Sequence, residues 1–160
     1  MPLVLIGDAP YSRRYIDQLR KSAEGKNVRM PGAIYGTGYL ELLAGCFCYL
    51  HGTEVGGTHP ALIEAMGAGC LVIVHDTPEN REVVVDTGIL VDFKDTQLLA
   101  HTLSEVAGYP QKFTAFSGRA RQRVRENYDW EVVVDRYEQL FFDLLKDPGQ
   151  HKAPIEGREG

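Results

Sequence analysis

The sequence predicts an α/β domain built on a doubly wound parallel sheet, with helices on both faces. Four short runs, residues 3–6, 46–50, 71–74 and 88–91, are apolar and free of charge, as strands covered on both sides are. Each leads through a turn into a stretch with helical character, and such alternation specifies parallel strands joined by right-handed crossovers. The composition agrees: 160 residues, 44% hydrophobic and 24% charged, allow one well-buried core and hardly two. It excludes a disordered, collagen-like or disulfide-scaffold chain.

The elements follow in order. Leu3-Val4-Leu5-Ile6 reads as a buried parallel strand, turned by Gly7-Asp8-Ala9-Pro10. A helix over about 10–23 puts Tyr15, Ile16 and Leu19 on one side and Arg13, Arg14, Asp17, Arg20 and Lys21 toward water. Residues 28–30 form a short strand ended by Pro31-Gly32, and 39–44 a short helix after Gly36 and Gly38. The strand 46–50 sets Cys46 and Cys48 on one face. A glycine-rich loop over 52–58 leads to a helix over 60–68, where Pro60 occupies a first-turn position that needs no N–H partner. Gly69 ends this helix, and Leu71-Val72-Ile73-Val74 is the clearest strand in the chain.

Asp76-Thr77-Pro78-Glu79 starts a short helix through Val84, and 88–91 is the last strand. Helices over 95–107, 110–127 and 130–146 close the domain, with Trp130 expected as a core anchor. This reading places 3–6, 46–50 and 71–74 near the centre of one sheet and takes residues 1–146 as one domain. Residues 147–160 lack periodicity and are expected to be disordered. Within them Ile155-Glu156-Gly157-Arg158 resembles a protease-site linker appended to the domain.

Charge and cysteine usage narrow the function. A formal net charge of −5 argues against a general nucleic-acid binder, whose affinity comes from a basic surface. Any anionic ligand must be held by local dipoles and a few cations. Cys46, Cys48 and Cys70 form an odd set without a CxxC pair or a matching histidine pair, so buried reduced thiols in a cytoplasmic protein are favoured over zinc. The longest apolar stretch, 39–50, is broken by Glu41 and Gly45 and is too short to span a membrane. Arg119, Arg121, Arg123 and Arg125 form a basic helix able to meet anionic lipid as a peripheral contact. Their even spacing spreads them around the helix and favours a solvated face.

The chemistry concentrates in residues 51–66, His51-Gly52-Thr53-Glu54-Val55-Gly56-Gly57-Thr58-His59-Pro60-Ala61-Leu62-Ile63-Glu64-Ala65-Met66. Strand, glycine loop and helix N-terminus in succession are the usual geometry of an anion site, because glycines let backbone N–H groups approach a phosphate and the helix dipole adds about half a positive charge. Glu64, in the second turn, is misplaced for a phosphate but suited to accept hydrogen bonds from ribose hydroxyls. Complementing the helix dipole is an equally good account of it. His51 and His59 could donate to a ligand, or could be satisfied or solvent-facing histidines. Gly36-Thr37-Gly38 lacks a third glycine for a dinucleotide fingerprint, and no Walker lysine follows Gly57.

Residues 56–73, Gly56-Gly57-Thr58-His59-Pro60-Ala61-Leu62-Ile63-Glu64-Ala65-Met66-Gly67-Ala68-Gly69-Cys70-Leu71-Val72-Ile73, resemble the donor-site signature of the family-4 retaining glycosyltransferases. The likeness extends to residues 3–10, to Asn80-Arg81-Glu82-Val83-Val84, to Thr87-Gly88-Ile89-Leu90-Val91 and to Tyr128-Asp129-Trp130-Glu131, in the family's order. The Glu-Val-Gly-Gly-Thr wording is most similar to rhamnosyltransferase-like members. The resemblance implies the Rossmann-like carboxyl-terminal domain of a GT-B enzyme, which binds a nucleoside-diphosphate sugar with no further cofactor and no metal. Gly56, Gly57, Thr58 and His59 would then face the donor, and Glu64 would hold its ribose.

The family motif has two glutamates with seven residues between them, the first touching the sugar. Glu64 matches the second, but Gly56 stands where the first would be and the nearest acid is Glu54. Either Glu54 swings back as the catalytic carboxylate or backbone groups replace it. The family's domain also begins with a further strand-helix unit whose Gly-Arg and Lys-Gly residues neutralise the diphosphate, and it works with an amino-terminal acceptor domain. Neither has a counterpart in this sequence, so the chain is expected to be inactive in isolation. A non-catalytic nucleotide-sugar-binding or regulatory module is the competing class. A related sugar-nucleotide epimerase lacks a separate acid and base here. The sugar, the base, the acceptor and the oligomeric state stay open.

Overall fold

A computed structural model describes residues 1–146; the stretch 147–160, expected to be disordered, lies outside the described residues. The chain divides into two compact units, Met1–Phe47 and Cys48 onward. The first holds β1 (Leu3–Ile6), α1 (Arg13–Ala23), β2 (Val28–Gly32) and α2 (Thr37–Gly45). β1 and β2 run parallel, with Leu3 opposite Val28 and Val4 opposite Arg29 before the register shifts, so α1 is the crossover of a βαβ unit. α1 starts at Arg13, later than expected, with Ser12 as an N-cap residue that makes no side-chain capping bond.

The second unit contains β3 (Tyr49–His51), α3 (Pro60–Ala68), β4 (Val72–His75), α4 (Pro78–Val84), β5 (Ile89–Val91) and α5 (Thr96–Gly108). A 3-10 turn (Pro110–Phe113), α6 (Thr114–Asn127) and α7 (Trp130–Lys146) follow. β3, β4 and β5 form a parallel sheet in that order, with Leu50 opposite Ile73 and Ile73 opposite Ile89. Every residue of β4 is buried. Ile73 joins Leu71, Val91 and Val106 in a cluster backed by Leu99 and Leu103 of α5 and by Phe113 and Phe116. Strand alternation turns Val72 and Val74 to the opposite face, where α3 packs on β4 and α6 on α3. Helices on both faces of a parallel sheet are the predicted fold class.

Three expectations need correction. The strands pair as two ladders, and of the runs expected near a sheet centre only β4 is flanked on both edges. β1 pairs with β2 alone among the described residues, and its side chains stay 36 to 43% exposed rather than buried. Trp130 is no core anchor: it is 79% exposed. The helix it begins packs chiefly on α6 and leaves Val134, Tyr137, Leu140 and Phe141 open as well. No helix among the described residues is long and apolar enough to cross a membrane.

The arginines of α6 are surface groups, but three of them are engaged. Arg119 pairs with Asp86 at 3.2 Å, and Arg121 donates to the Ala68 carbonyl at 3.0 Å. Arg123 donates to the carbonyls of Val83 and Glu82, each at 2.6 Å. These are the last turns of α3 and α4, where cations complement orphan carbonyls and the negative end of the dipole. Arg121 also lies over Gly69, whose φ of +82° ends α3 and where a Cβ would meet the guanidinium Nε at 2.3 Å.

α4 ends in a tight turn. The Thr87 N–H donates to the Val84 carbonyl at 2.9 Å, and Val85 takes φ 51° and ψ −104°. Those angles suit the first central residue of a type II′ turn, a glycine position, and a β-branched residue there is strained by about 1–3 kcal/mol. Val85→Gly should therefore raise the unfolding free energy by about 1 kcal/mol, after the greater freedom of glycine in the unfolded chain is deducted. Urea titration of both proteins measures it.

Candidate functional site

The C-terminal ends of β3 and β4 carry His51 and His75, and the loops leaving them are where a parallel sheet places its ligands. The loop after β3 spans 52–59, and His59 is the N-cap of α3. Its side chain makes no capping bond, Pro60 follows, and the first turn holds no acid, so the helix N-terminus meets no carboxylate of its own. α4 and α5 differ: Thr77 Oγ1 accepts from Asn80 N–H at 3.2 Å, and Asp95 Oδ1 accepts from Gln97 and Leu98 N–H at 3.1 and 2.9 Å.

Gly56, Gly57 and Thr58 are exposed, and His59 is half-buried. Gly56 has φ +130°, and a Cβ there would stand 2.8 Å from His59 Cε1, so the imidazole packs on a bare backbone. The His59 ring also lies 4.9 Å from the His51 ring at an interplanar angle of 53°. His51 is 7% exposed, and its Nε2 is buried without a hydrogen-bond partner. It is thus neither a satisfied core histidine nor a solvent-facing one.

The two candidate carboxylates differ. Glu64 is exposed in the second turn of α3 and makes no hydrogen bond or ion pair among the described residues. Glu54 is bound to Lys94 at 3.2 Å, both side chains more than half exposed. The structure brings the glycine loop, His59 and His51 together, and holds Glu54 at the start of the same loop against Lys94.

The sequence assigns no site role to His75, and it marks Asn80 only as part of a segment resembling the family. Asn80 is buried, and its Nδ2 donates to the His75 carbonyl at 2.9 Å and to the Thr53 carbonyl at 3.3 Å. One amide thus ties the loop carrying Glu54 to the end of β4. His75 Nδ1 accepts from Phe93 N–H at 3.1 Å, anchoring the chain after β5. The Thr77-Pro78 cap start was the available signal for Asn80, since it places residue 80 in the first turn, but a long-range amide bond has no local signature. No three His, Cys, Asp or Glu side chains gather to hold a metal ion among the described residues. No disulfide joins Cys46, Cys48 and Cys70.

Residues 1–123 match the family described as Glycosyl transferases group 1, and the chain belongs to it. Among solved structures it is similar to Anabaena HepE in complex with UDP-glucose, at 21% identity and a TM-score of 0.75, over 91% of this chain and 41% of that one. Sucrose-phosphate synthase from Thermosynechococcus elongatus gives 24% identity and a TM-score of 0.73, over 90% and 38%. The C-terminal domain of the group 1 glycosyl transferase LpcC from Francisella tularensis gives 20% and 0.69, over 81% and 70%. No curated protein matches by sequence. These likenesses show the Rossmann-like GT-B fold. The chain spans about two fifths of the length of the HepE structures it matches.

Burial, and secondarily the charge of His59, push the His51 imidazole below the ordinary histidine value. The unfolded chain then takes up a proton that the folded one refuses, so this contribution to stability is complete above pH of about 6.5 and declines as pH falls toward the folded value. Urea unfolding at pH 7.5 and 5.5 should show a loss on acidification that is smaller in His51→Gln.

Proposed function

We propose that this chain is the donor-binding half of a retaining glycosyltransferase that moves a sugar from a nucleoside-diphosphate sugar to a glycan or lipid-linked acceptor. The carrying observation is the N-terminus of α3, open to the glycine loop and without a side-chain cap. Amides there can meet phosphate oxygens, and the helix dipole favours negative charge. Family membership supports the class of reaction, and the UDP and UDP-glucose complexes of HepE support the ligand class. The Gly56-Gly57-Thr58 amides would stabilise charge on the departing diphosphate. Glu54 is the candidate sugar-facing catalytic carboxylate, and rhamnosyl or hexosyl transfer in the cytoplasm, without a further cofactor, completes the reading.

Glu64 holds the ribose in this reading. Its carboxylate is exposed and uncommitted, so removing it disturbs no internal bond. Glu64→Ala should weaken UDP binding by about 1–3 kcal/mol, the cost of charge-assisted bonds left unmade. The melting temperature should stay within a degree or two, about what a surface substitution does. Calorimetric titration with UDP gives the answer, and equal affinities would refute the role.

Transfer further requires an acceptor held in near-attack geometry, an ordering worth about 7–11 kcal/mol of barrier. We assign that task to an acceptor domain, in line with the chain covering 41% of HepE. Residues 1–160 alone should release no sugar to acceptor from UDP-glucose, and a covalently fused acceptor domain should restore transfer. Retaining transfer by the isolated chain would overturn the division of labour.

A further inference from the structure

His51 is the last residue of β3, 7% exposed, with a buried Nε2 that no group in the described chain satisfies. An unpaired buried polar atom is destabilising, and such atoms mark places where something outside the chain can supply the bond. The ring faces His59, the N-cap of α3, across 4.9 Å. The α3 N-terminus is itself without a side-chain cap or first-turn acid. Two groups without an internal hydrogen-bond partner, an imidazole nitrogen and a helix N-terminus, therefore flank one loop.

The chemistry of the missing partner follows from charge. Helix amides only donate, so the partner must accept from them, and the dipole selects an anion over a neutral hydroxyl. Arg119, Arg121 and Arg123 are spent on Asp86 and on the carbonyls of Ala68, Val83 and Glu82, and Lys94 is paired with Glu54. Beyond its backbone and the Thr53 and Thr58 hydroxyls, the loop is flanked by the imidazole pair, which can carry positive charge. An anion seated there would also relieve the penalty that burial and His59 place on a protonated His51.

We propose that His51 is a donor-site residue whose Nε2–H donates to a phosphate oxygen of a nucleoside diphosphate seated on the N-terminus of α3. The inference rests on the donor-binding reading above and adds a residue to it. His59 keeps the imidazole in place, its own ring seated on the bare backbone of Gly56.

The test titrates UDP and uridine into the full chain carrying wild-type sequence, His51→Phe, His51→Gln or Glu64→Ala. The ring nitrogens of ¹⁵N-histidine-labelled wild type are followed in parallel. UDP should shift the His51 Nε2 resonance while uridine leaves it in place. His51→Phe should bind UDP at least about tenfold more weakly. His51→Gln, whose amide nitrogen can reach the place of Nε2, should recover most of that loss. Uridine affinity should be the same in wild type and both His51 variants, which a general loosening of the loop would not allow.

A folded His51→Phe that binds UDP as tightly as wild type, while Glu64→Ala is weakened, overturns the role of His51 and leaves the donor reading standing. Should His51→Phe fail to fold, the wild-type spectrum decides, and an Nε2 resonance unmoved at UDP saturation overturns the proposal. The titration is repeated with GDP, ADP and dTDP where UDP does not bind, and a wild-type chain that binds none of the four removes the donor reading and this residue with it.

Discussion

The second unit depends on one constraint: β4 has no side open to water. Its four residues are buried, and it is hydrogen-bonded to β3 on one edge and β5 on the other. A strand in that position needs an apolar cover on both faces, which α3 and the α5–Phe113–Phe116 layer provide. Parallel pairing then brings the C-terminal ends of β3, β4 and β5 to one edge, with His51, His75 and Val91 as their last residues. Loops leaving that edge lie side by side, at the end of the sheet where parallel α/β folds place ligands. The glycine loop, the α4 N-terminus and the turn at Asp92 are neighbours because β4 is central.

Buried amide and imidazole groups then fix the loops. Asn80 bonds the carbonyls of both His75 and Thr53, so the start of the glycine loop is tied to the strand beside it. His75 does the same for Phe93. Downstream of Thr53 the loop carries exposed glycines and the His59 ring. This is a rigid base with an open rim, suited to presenting backbone N–H groups without holding them in a finished pocket. With a formal charge of −5 the average field repels an anion, so the proposed diphosphate would depend on such local presentation.

Much of this was legible because burial on two faces leaves an unmixed apolar run, and runs at 3–6, 71–74 and 88–91 led to real strands. What could not be read was how many neighbours each strand has. Leu3-Val4-Leu5-Ile6 and Val72-Ile73-Val74 look alike in sequence, yet the first stays partly exposed and the second is enclosed. The run 46–50 shows a similar limit: the strand begins only at Tyr49 and runs one residue further, to His51. The stretch 110–127 divides into a 3-10 turn, Pro110–Phe113, and α6, such tighter turns being frequent at helix starts. The even spacing of the arginines suggests a solvated face, yet Arg121 and Arg123 donate to carbonyls up to 53 residues away and Arg119 pairs with Asp86. The glycine loop and Glu64 were visible because their spacing is local; the Asn80 bond and the His51 vacancy were not, because both depend on tertiary contact.

The difference between Glu54 and Glu64 bears on how the two carboxylates could share a donor. Glu64 is free, so a ribose hydroxyl binding it displaces only water. Glu54 must first leave Lys94, but an exposed ion pair of this kind is worth only about 0–1 kcal/mol. A sugar hydroxyl offering a charge-assisted bond of about 1.5–3 kcal/mol can therefore displace the lysine. The released Lys94 ammonium would then be an exposed cation near the start of the loop, returned to solvent. In the proposed donor reading, the Glu54–Lys94 pair would hold in reserve a carboxylate for the sugar, at an energetic separation small enough for the donor itself to split.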